Sequence, residues 1–216
     1  MSRRNIWYHD SANDIFAATM QENQFAFLSC MISFDDKTTR SSRWKFDKFT
    51  DIRDFFEAMN QNNAKWRNPS FYLAIDETLY PYRGRIGHKM YMPNKPSKYG
   101  LLYRSLCDAV VLYLYFSLPY GGKPDDLSGE AAKYYVTGTD EYTKYLATEF
   151  AKVNSLEGCN ISMDRYFTSV TVARWAMEKK FTIVGTMKHG RKGIPKDIQG
   201  TDEPKYSTRY IHGQDA

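Results

Sequence analysis

Cysteine is scarce in this sequence, and its spacing suits no shared task. Three cysteines, Cys30, Cys107 and Cys159, stand far apart in 216 residues. They make neither a disulfide framework nor a metal knuckle, and a reducing compartment is expected. The four histidines, His9, His88, His189 and His212, are equally scattered and show no ligand spacing. Long hydrophobic runs are missing too. The longest, Ala109 to Phe116, falls far short of the about 20 residues that a membrane span needs. The first residues, Met1 to Asn5, carry charge with no apolar stretch behind them, so no secretory signal is visible. Internal repeats and low-complexity tracts are absent. What remains is ordinary for a folded soluble protein: 42% hydrophobic and 25% charged residues. That balance excludes disorder, collagen and coiled coil as readings of the whole chain. The length fits one domain, or one with a fragment of another.

The net charge of +5 becomes informative once it is located. From Arg83 to Cys107 the chain carries six basic residues, Arg83, Arg85, Lys89, Lys95, Lys98 and Arg104, and no acid. From Arg174 to Asp197 it carries seven basic residues against two acids. Concentrated basic charge suits a surface that meets polyanions, although lysine-rich solvated loops would look the same in one linear sequence.

Hydrophobic periodicity divides the chain at about residue 70. Before it, Ser11 and Asp14 resemble a capping box, and Ile15, Phe16, Met20, Phe27, Leu28, Met31 and Ile32 follow at roughly helical spacing. Phe49, Ile52, Phe55, Phe56 and Met59 line one face of a second helix. Asn60 to Pro69 is polar and reads as a connector. Phe71 to Ile75 then reads as a strand buried on both faces that ends at Asp76-Glu77. A long loop to Gly100 precedes two strands, Leu101 to Leu106 and Val110 to Leu118, broken near Asp108. A helix follows, with Thr139 as its N-cap and Gly158 at its end. Asn160 to Asp164 is a short strand, Thr168 or Ser169 caps a helix to Lys180, and Phe181 to Met187 is the last strand. The order β-β-β-α-β-α-β predicts an α/β fold: a ribonuclease-H-like mixed sheet of five strands, the first three antiparallel, with flanking helices and a small helical segment in front.

That order gives two acids a shared address. Asp76 closes the first strand and Asp164 the fourth. If those strands are parallel neighbours, the acids emerge at one C-terminal edge, roughly 5 Å apart. Such a pair repels unless a cation lies between its members. Mg²⁺ (or Mn²⁺) is the natural one, and a pair of such ions serves phosphodiester chemistry. For either Asp alone, a turn or cap role explains its position as well.

Several segments resemble the piggyBac transposase signature. They are Ile75-Asp76-Glu77, Tyr82-Arg83-Gly84-Arg85, the run from Lys89 to Gly100, and Asn160 to Ser169. Thr182 to Thr186 with Ile194-Pro195 agrees with it, as do Phe34 to Lys37 and Asp47 to Phe49. The resemblance implies a transposable element-derived DNA transposase of the DDE type, located in the nucleus. It would cleave and rejoin double-stranded DNA at transposon ends and at a TTAA target, and it leaves room for a homodimer. Asp76 and Asp164 match the first two of three metal-holding aspartates and are the implied catalytic and metal ligands. The implied third lies on a helix beyond the fifth strand. The late acids Asp202, Glu203 and Asp215 do not sit in its motif. The expectation is a truncated copy with an incomplete two-metal site and little strand-transfer activity, or a DNA-binding protein without chemistry. The implied divisions are 1–70, a helical segment tied to dimerisation or DNA binding; 71–190, the catalytic core without its last helix; and 191–216, the start of an insertion or tail. DNA-backbone contact is expected from Arg83, Arg85, Lys89, Lys95 and Lys98, and from Lys188, Arg191 and Lys192 after the last strand. Base stacking is open to Tyr91, Tyr99 or Trp175, while most aromatics read as core. Cys107 and Cys159 read as small buried fillers.

Overall fold

Of the 216 residues, a computed structural model describes 5–8, 14–122, 135–196, 205–208, 210 and 212. Within them, five helices precede the first strand: α1 (Asn5–Tyr8), α2 (Asp14–Thr19), α3 (Glu22–Met31), α4 (Arg40–Arg43) and α5 (Arg53–Trp66). The sheet comprises β1 (Tyr72–Pro81), β2 (Met90–Tyr91), β3 (Tyr99–Asp108), β4 (Leu114–Pro119), β5 (Asn160–Met163) and β6 (Thr182–Gly185). α6 (Thr139–Ala151) precedes β5, and α7 (Val170–Glu178) links β5 to β6. The strand order is β2-β3-β1-β5-β6, with β4 also paired to β3. β1 runs antiparallel to β3 and parallel to β5, and β5 runs parallel to β6. The sheet is therefore mixed and helix-covered, as the order of elements predicts.

One core joins the sheet to α6 and α7. Leu73, Ile75, Leu106, Leu146, Phe150, Ile161, Phe167 and Val172 are all but fully buried in it. Removing each from water contributes about 1.5–3 kcal/mol. β3 shows why the sheet faces this way. Gly100, Leu102, Arg104, Leu106 and Asp108 are buried, and the residues between them are at least partly exposed, the period-2 signature of one covered face. On the opposite face Phe49 and Phe56 pack against Tyr103, with ring centroids 6.3 and 5.7 Å away.

Four expectations need correction. Asn60 to Pro69 is not a connector, because α5 continues to Trp66. Phe56, Asn60 and Ala64 share its buried face. Asn60 turns its amide inward to the backbone of Ser117 on β4, donating to the carbonyl at 2.9 Å and accepting from the N–H at 3.0 Å. A polar residue at a buried helical position thus satisfies the backbone of β4 on the side away from β3. Second, β1 does not stop at Asp76: β3 pairs with it as far as Pro81. Third, β1 alternates instead of being buried on both faces. Fourth, the sheet has six strands, since the two residues of β2 pair with the start of β3.

Smaller differences have local causes. The break between β3 and β4 is a turn pinned by Asp108, whose carboxylate accepts from the backbone of Ser70, Val110 and Val111 and from the Ser70 hydroxyl. Burial alone would raise its pKa, yet these donors together hold it below the usual value. Beside it, burial and then the Asp108 charge push the Tyr115 phenol up to about 12. α6 starts after Gly138, not after Thr139, whose hydroxyl has another partner. Ser169 does cap α7, its Oγ accepting from the Val172 N–H at 3.1 Å. Asp164 lies one residue past β5. Ser11, Asp197, Asp202, Glu203 and Asp215 fall outside the described residues.

The early helices pack lightly. Trp7 stacks between Phe16 and Phe25 and donates from Nε1 to the Met20 carbonyl at 2.9 Å. Phe27, Leu28 and Met31 on α3, and Ile32 just past it, remain exposed. No helix among the described residues is long and apolar enough to cross a membrane.

Candidate active site and nucleic-acid interface

The β1–β5 register brings the two expected acids together. Every pair from Tyr72 with Asn160 to Ile75 with Met163 has the same sequence separation as Asp76 with Asp164. One further step of that register leads to Asp76 on β1 and to Asp164, the first residue past β5, so both acids stand at the same end of the parallel pair. Here β5 ends while β1 continues as a ribbon with β3, so Asp76 sits mid-strand yet at the C-terminal edge of the parallel part. Both residues are exposed. Asp76 accepts from the Glu77 N–H at 2.7 Å and Asp164 from the Tyr166 N–H at 2.8 Å, each through Oδ1. Neither carboxylate has a cationic partner among the described residues. Two exposed carboxylates on one sheet edge, each with one oxygen held by a backbone N–H, fit a divalent cation such as Mg²⁺, which takes one or two carboxylates and completes its shell with water and phosphate. No group of three or more His, Cys, Asp or Glu placed to share a metal ion occurs among the described residues.

The segment after Asp164 is held from several sides. Its carbonyl accepts from the backbone of Phe167 and Thr168 and from the Thr168 hydroxyl. Next to it, a side chain on Gly185 would drive into the Met163 carbonyl and the Thr168 hydroxyl, so only glycine lets β6 end this close to β5. Arg191 clamps the same segment. Its guanidinium donates to the carbonyls of Arg165 and Tyr166 at 3.4 and 3.1 Å, and to Thr139 Oγ1 and Asp140 Oδ1 at 2.7 and 2.8 Å. It ties the start of α6 to the turn that carries Asp164.

Arg104 belongs to the basic stretch of the sequence, yet it is buried within this region. Its guanidinium carbon lies 3.7, 4.6 and 5.5 Å from the ring centroids of Tyr142, Tyr120 and Tyr166. Nη2 donates to the Tyr166 hydroxyl at 3.2 Å, while Nε and Nη1 have no hydrogen-bond partner. The signal was available in the sequence: Arg104 occupies the same strand parity as Leu102 and Leu106.

The remaining cations fall into two groups. Arg83, Arg85 and Lys98 are exposed in the β1–β3 connection, and their side chains have no partner among the described residues. Lys188 and Lys192 are likewise free and exposed after β6. Lys89 donates to the Gly84 carbonyl at 3.1 Å, and Lys95 to the Glu77 carbonyl at 3.3 Å, with the Glu77 carboxylate 3.8 Å away. These two lysines and Arg191 are partly or wholly engaged within the protein. Cys107 and Cys159 are poor nucleophiles: burial, and then the Asp76 charge, raise the Cys107 thiol, and burial raises Cys159. Trp175 packs edge-on against Phe181 and belongs to the core.

The family model described as Transposase IS4, of the DDE type, matches residues 1–215. The chain belongs to this transposase family. Its piggyBac character comes from three further likenesses. It is 29% identical over 124 residues to the human PiggyBac transposable element-derived protein 3, covering 56% of this chain and 20% of that protein. The same identity and length hold for the human Chimeric ERCC6-PGBD3 protein, of which 11% is covered. Among solved structures, a piggyBac transposase synaptic complex with hairpin DNA superposes with a TM-score of 0.75 and 29% identity, over 94% of this chain and 41% of that one. The ribonuclease-H-like sheet of this piggyBac-family domain is thus shared with a solved transposase. The chain spans about a fifth or less of the length of these curated relatives. DDE transposases generally use a divalent metal.

Proposed function

We propose that this chain is the DNA-processing domain of a piggyBac-type transposase. Asp76 and Asp164 are its metal-holding carboxylates, and Arg83, Arg85 and Lys98, with Lys188 and Lys192, grip the DNA backbone. The observation that supports this reading is the β1–β5 register, which leads to two exposed aspartates without a cationic partner among the described residues at the C-terminal edge of the parallel strands. A Mg²⁺ or Mn²⁺ ion bound there would supply Lewis acidity at a phosphodiester oxygen. The protein's own part is to hold Asp164 on a turn braced by Arg191, to fix Asp76 within a paired strand, and to present free cations where phosphates pass. The substrate class is double-stranded DNA, with transposon ends and a TTAA target as its specific forms. Action in the nucleus, as a homodimer, belongs to the same reading.

One observation favours restraint about turnover. No third acid joins Asp76 and Asp164 among the described residues, and two protein ligands hold a catalytic ion loosely. We therefore expect the 216-residue chain on its own to bind transposon-end DNA with strong salt dependence, and to cleave it at or near background in Mg²⁺ or Mn²⁺. Robust cleavage that disappears with Asp76→Ala would show a working enzyme instead. Failure to bind duplex DNA even at low salt would sink the whole reading.

A further inference from the structure

We propose that Tyr91 and Tyr99 form a stacking platform for unpaired DNA bases, a role distinct from the backbone grip of the neighbouring cations and resting on the DNA-binding reading above. Tyr91 on β2 pairs across the strands with Tyr99 on β3, and their ring centroids lie 4.8 Å apart at an interplanar angle of 37°. Cross-strand tyrosines often do no more than stabilise a hairpin. Three observations point further here.

The first is exposure. Tyr91 keeps 54% and Tyr99 42% of its surface in solvent, and neither phenol has a hydrogen-bond partner among the described residues. The Lys89 Nζ lies 5.7 Å from the Tyr99 centroid. An aromatic pair whose task was packing would bury more of this area. The second is charge. The connection that carries the rings holds Arg83, Arg85 and Lys98 with free side chains, and no acid occurs between Arg83 and Cys107. Cations interleaved with bare rings are the pattern that binds single-stranded nucleic acid, with phosphates on the cations and bases on the rings. An apolar protein partner would gain nothing from that field.

The third is placement. Asp76 pairs with Ser105, and Tyr99 has the same parity on β3, so the Tyr99 ring and the Asp76 carboxylate rise from one face of the sheet. β1 continues five residues from Asp76 to Pro81, which pairs with Gly100 next to Tyr99. That ribbon carries the ring pair on the order of 16 Å from the acid, about the length of a few nucleotides. Gly100 makes the ribbon possible, since a side chain there would strike the Tyr80 carbonyl. Duplex bases are stacked on one another and cannot use such a platform. A frayed end, an overhang or a hairpin tip can.

The test compares binding of the 216-residue chain to a blunt duplex and to the same duplex with a four-nucleotide single-stranded extension carrying 2-aminopurine. The expected result is that the extension tightens binding at least about fivefold and that the 2-aminopurine fluorescence is quenched by stacking. Tyr91→Ala and Tyr91→Leu lose both effects, and Tyr91→Phe keeps them. The slope of affinity against salt stays as in the unaltered protein, because no phosphate contact is lost. Arg85→Ala is the converse case: it flattens the salt slope and keeps the preference for the extension. Equal melting temperatures across the Tyr91 variants show that the hairpin still folds. Binding that ignores the extension, or a preference untouched by Tyr91→Leu and Tyr99→Leu, overturns the platform while leaving DNA binding intact. Binding to neither DNA overturns the functional reading and the platform with it.

Discussion

Arg104 and Tyr166 are joined by a hydrogen bond of 3.2 Å from a buried guanidinium to a phenol, and the N–H of the same tyrosine holds the Asp164 carboxylate. The cation sits among three tyrosines, with no carboxylate bonded to it among the described residues. Cross-strand from it is Glu77, whose side chain lies near Lys95 instead. Opposing effects meet at Arg104. Desolvated cation–π contacts give up to about 2 kcal/mol each, and a charged hydrogen bond gives about 1.5–3. Against them stand the cost of burying a charge and about 1–3 kcal/mol for each unpaired N–H.

Because a buried ion is often replaced by a well-packed apolar side chain of similar volume at little cost, Arg104→Met is expected to change the unfolding free energy by no more than about 1 kcal/mol. Arg104→Ala leaves a cavity among three rings and should cost about 3 kcal/mol or more. Denaturant midpoints with unchanged m-values would show this. A large loss in the methionine variant would mean that the tyrosine cage carries more of the local stability than these magnitudes allow.

The paired aspartates make a second prediction. Without metal, two exposed carboxylates on neighbouring strands repel, so Asp76→Asn or Asp164→Asn should raise stability by a few tenths of a kcal/mol. With millimolar Mn²⁺ the order should reverse. The unaltered protein gains melting temperature from binding, and the variants gain none. Thermal melts with and without Mn²⁺ decide it, and equal Mn²⁺ shifts in all three proteins would remove these residues as ligands.

How much of this site was legible in the sequence depended on the distance over which each feature is encoded. Asp76 and Asp164 follow from strand order alone, because a parallel register, once set by Ile75 and Met163, carries the next residues into line. Asn60 and Arg104 misled for one reason: each is polar at a buried position, and a linear pattern scores polarity as exposure. The partner that rescues Asn60 is the backbone of Ser117, and those that rescue Arg104 are Tyr120, Tyr142 and Tyr166. All lie on other elements. β2 was invisible because two residues set no period. Arg191 looked like any other loop cation, and only the fold shows its four acceptors.

His88 gives the protein a built-in acid sensitivity. The ring is buried against Phe49, with centroids 4.4 Å apart, and both nitrogens lack a partner. Burial holds its pKa below the usual 6.5; Asp51 and Asp47 oppose the shift and Lys48 adds to it. The folded protein therefore binds fewer protons at this site than the unfolded chain once the pH drops below about 6.5. Stability should be full above that value and fall as the pH drops from it towards the folded pKa. His88→Leu removes the titrating group, so its unfolding free energy should change less between pH 7.5 and 5.5. Parallel curves for the two proteins would show that His88 is not the group responsible.

The cations after β6 divide sharply by their environment. Arg191 spends its guanidinium on four acceptors and keeps its side chain only 18% exposed, so it has little left to offer a phosphate. Lys188 and Lys192 are exposed and free. Removing a free cation that touches one phosphate should lower the salt slope of DNA binding by about 0.9 and leave stability unchanged. Removing Arg191 unties α6 from the Asp164 turn, breaking a partly buried charged network at a cost of about 2 kcal/mol. Lys188→Ala and Lys192→Ala are thus expected to flatten the dependence of affinity on salt at constant melting temperature. Arg191→Ala should lower the melting temperature and leave the slope as it was. If Arg191→Ala instead flattens the slope without loss of stability, the arginine must release Asp140 and swing to DNA on binding, and the clamp would be a feature of the free protein only.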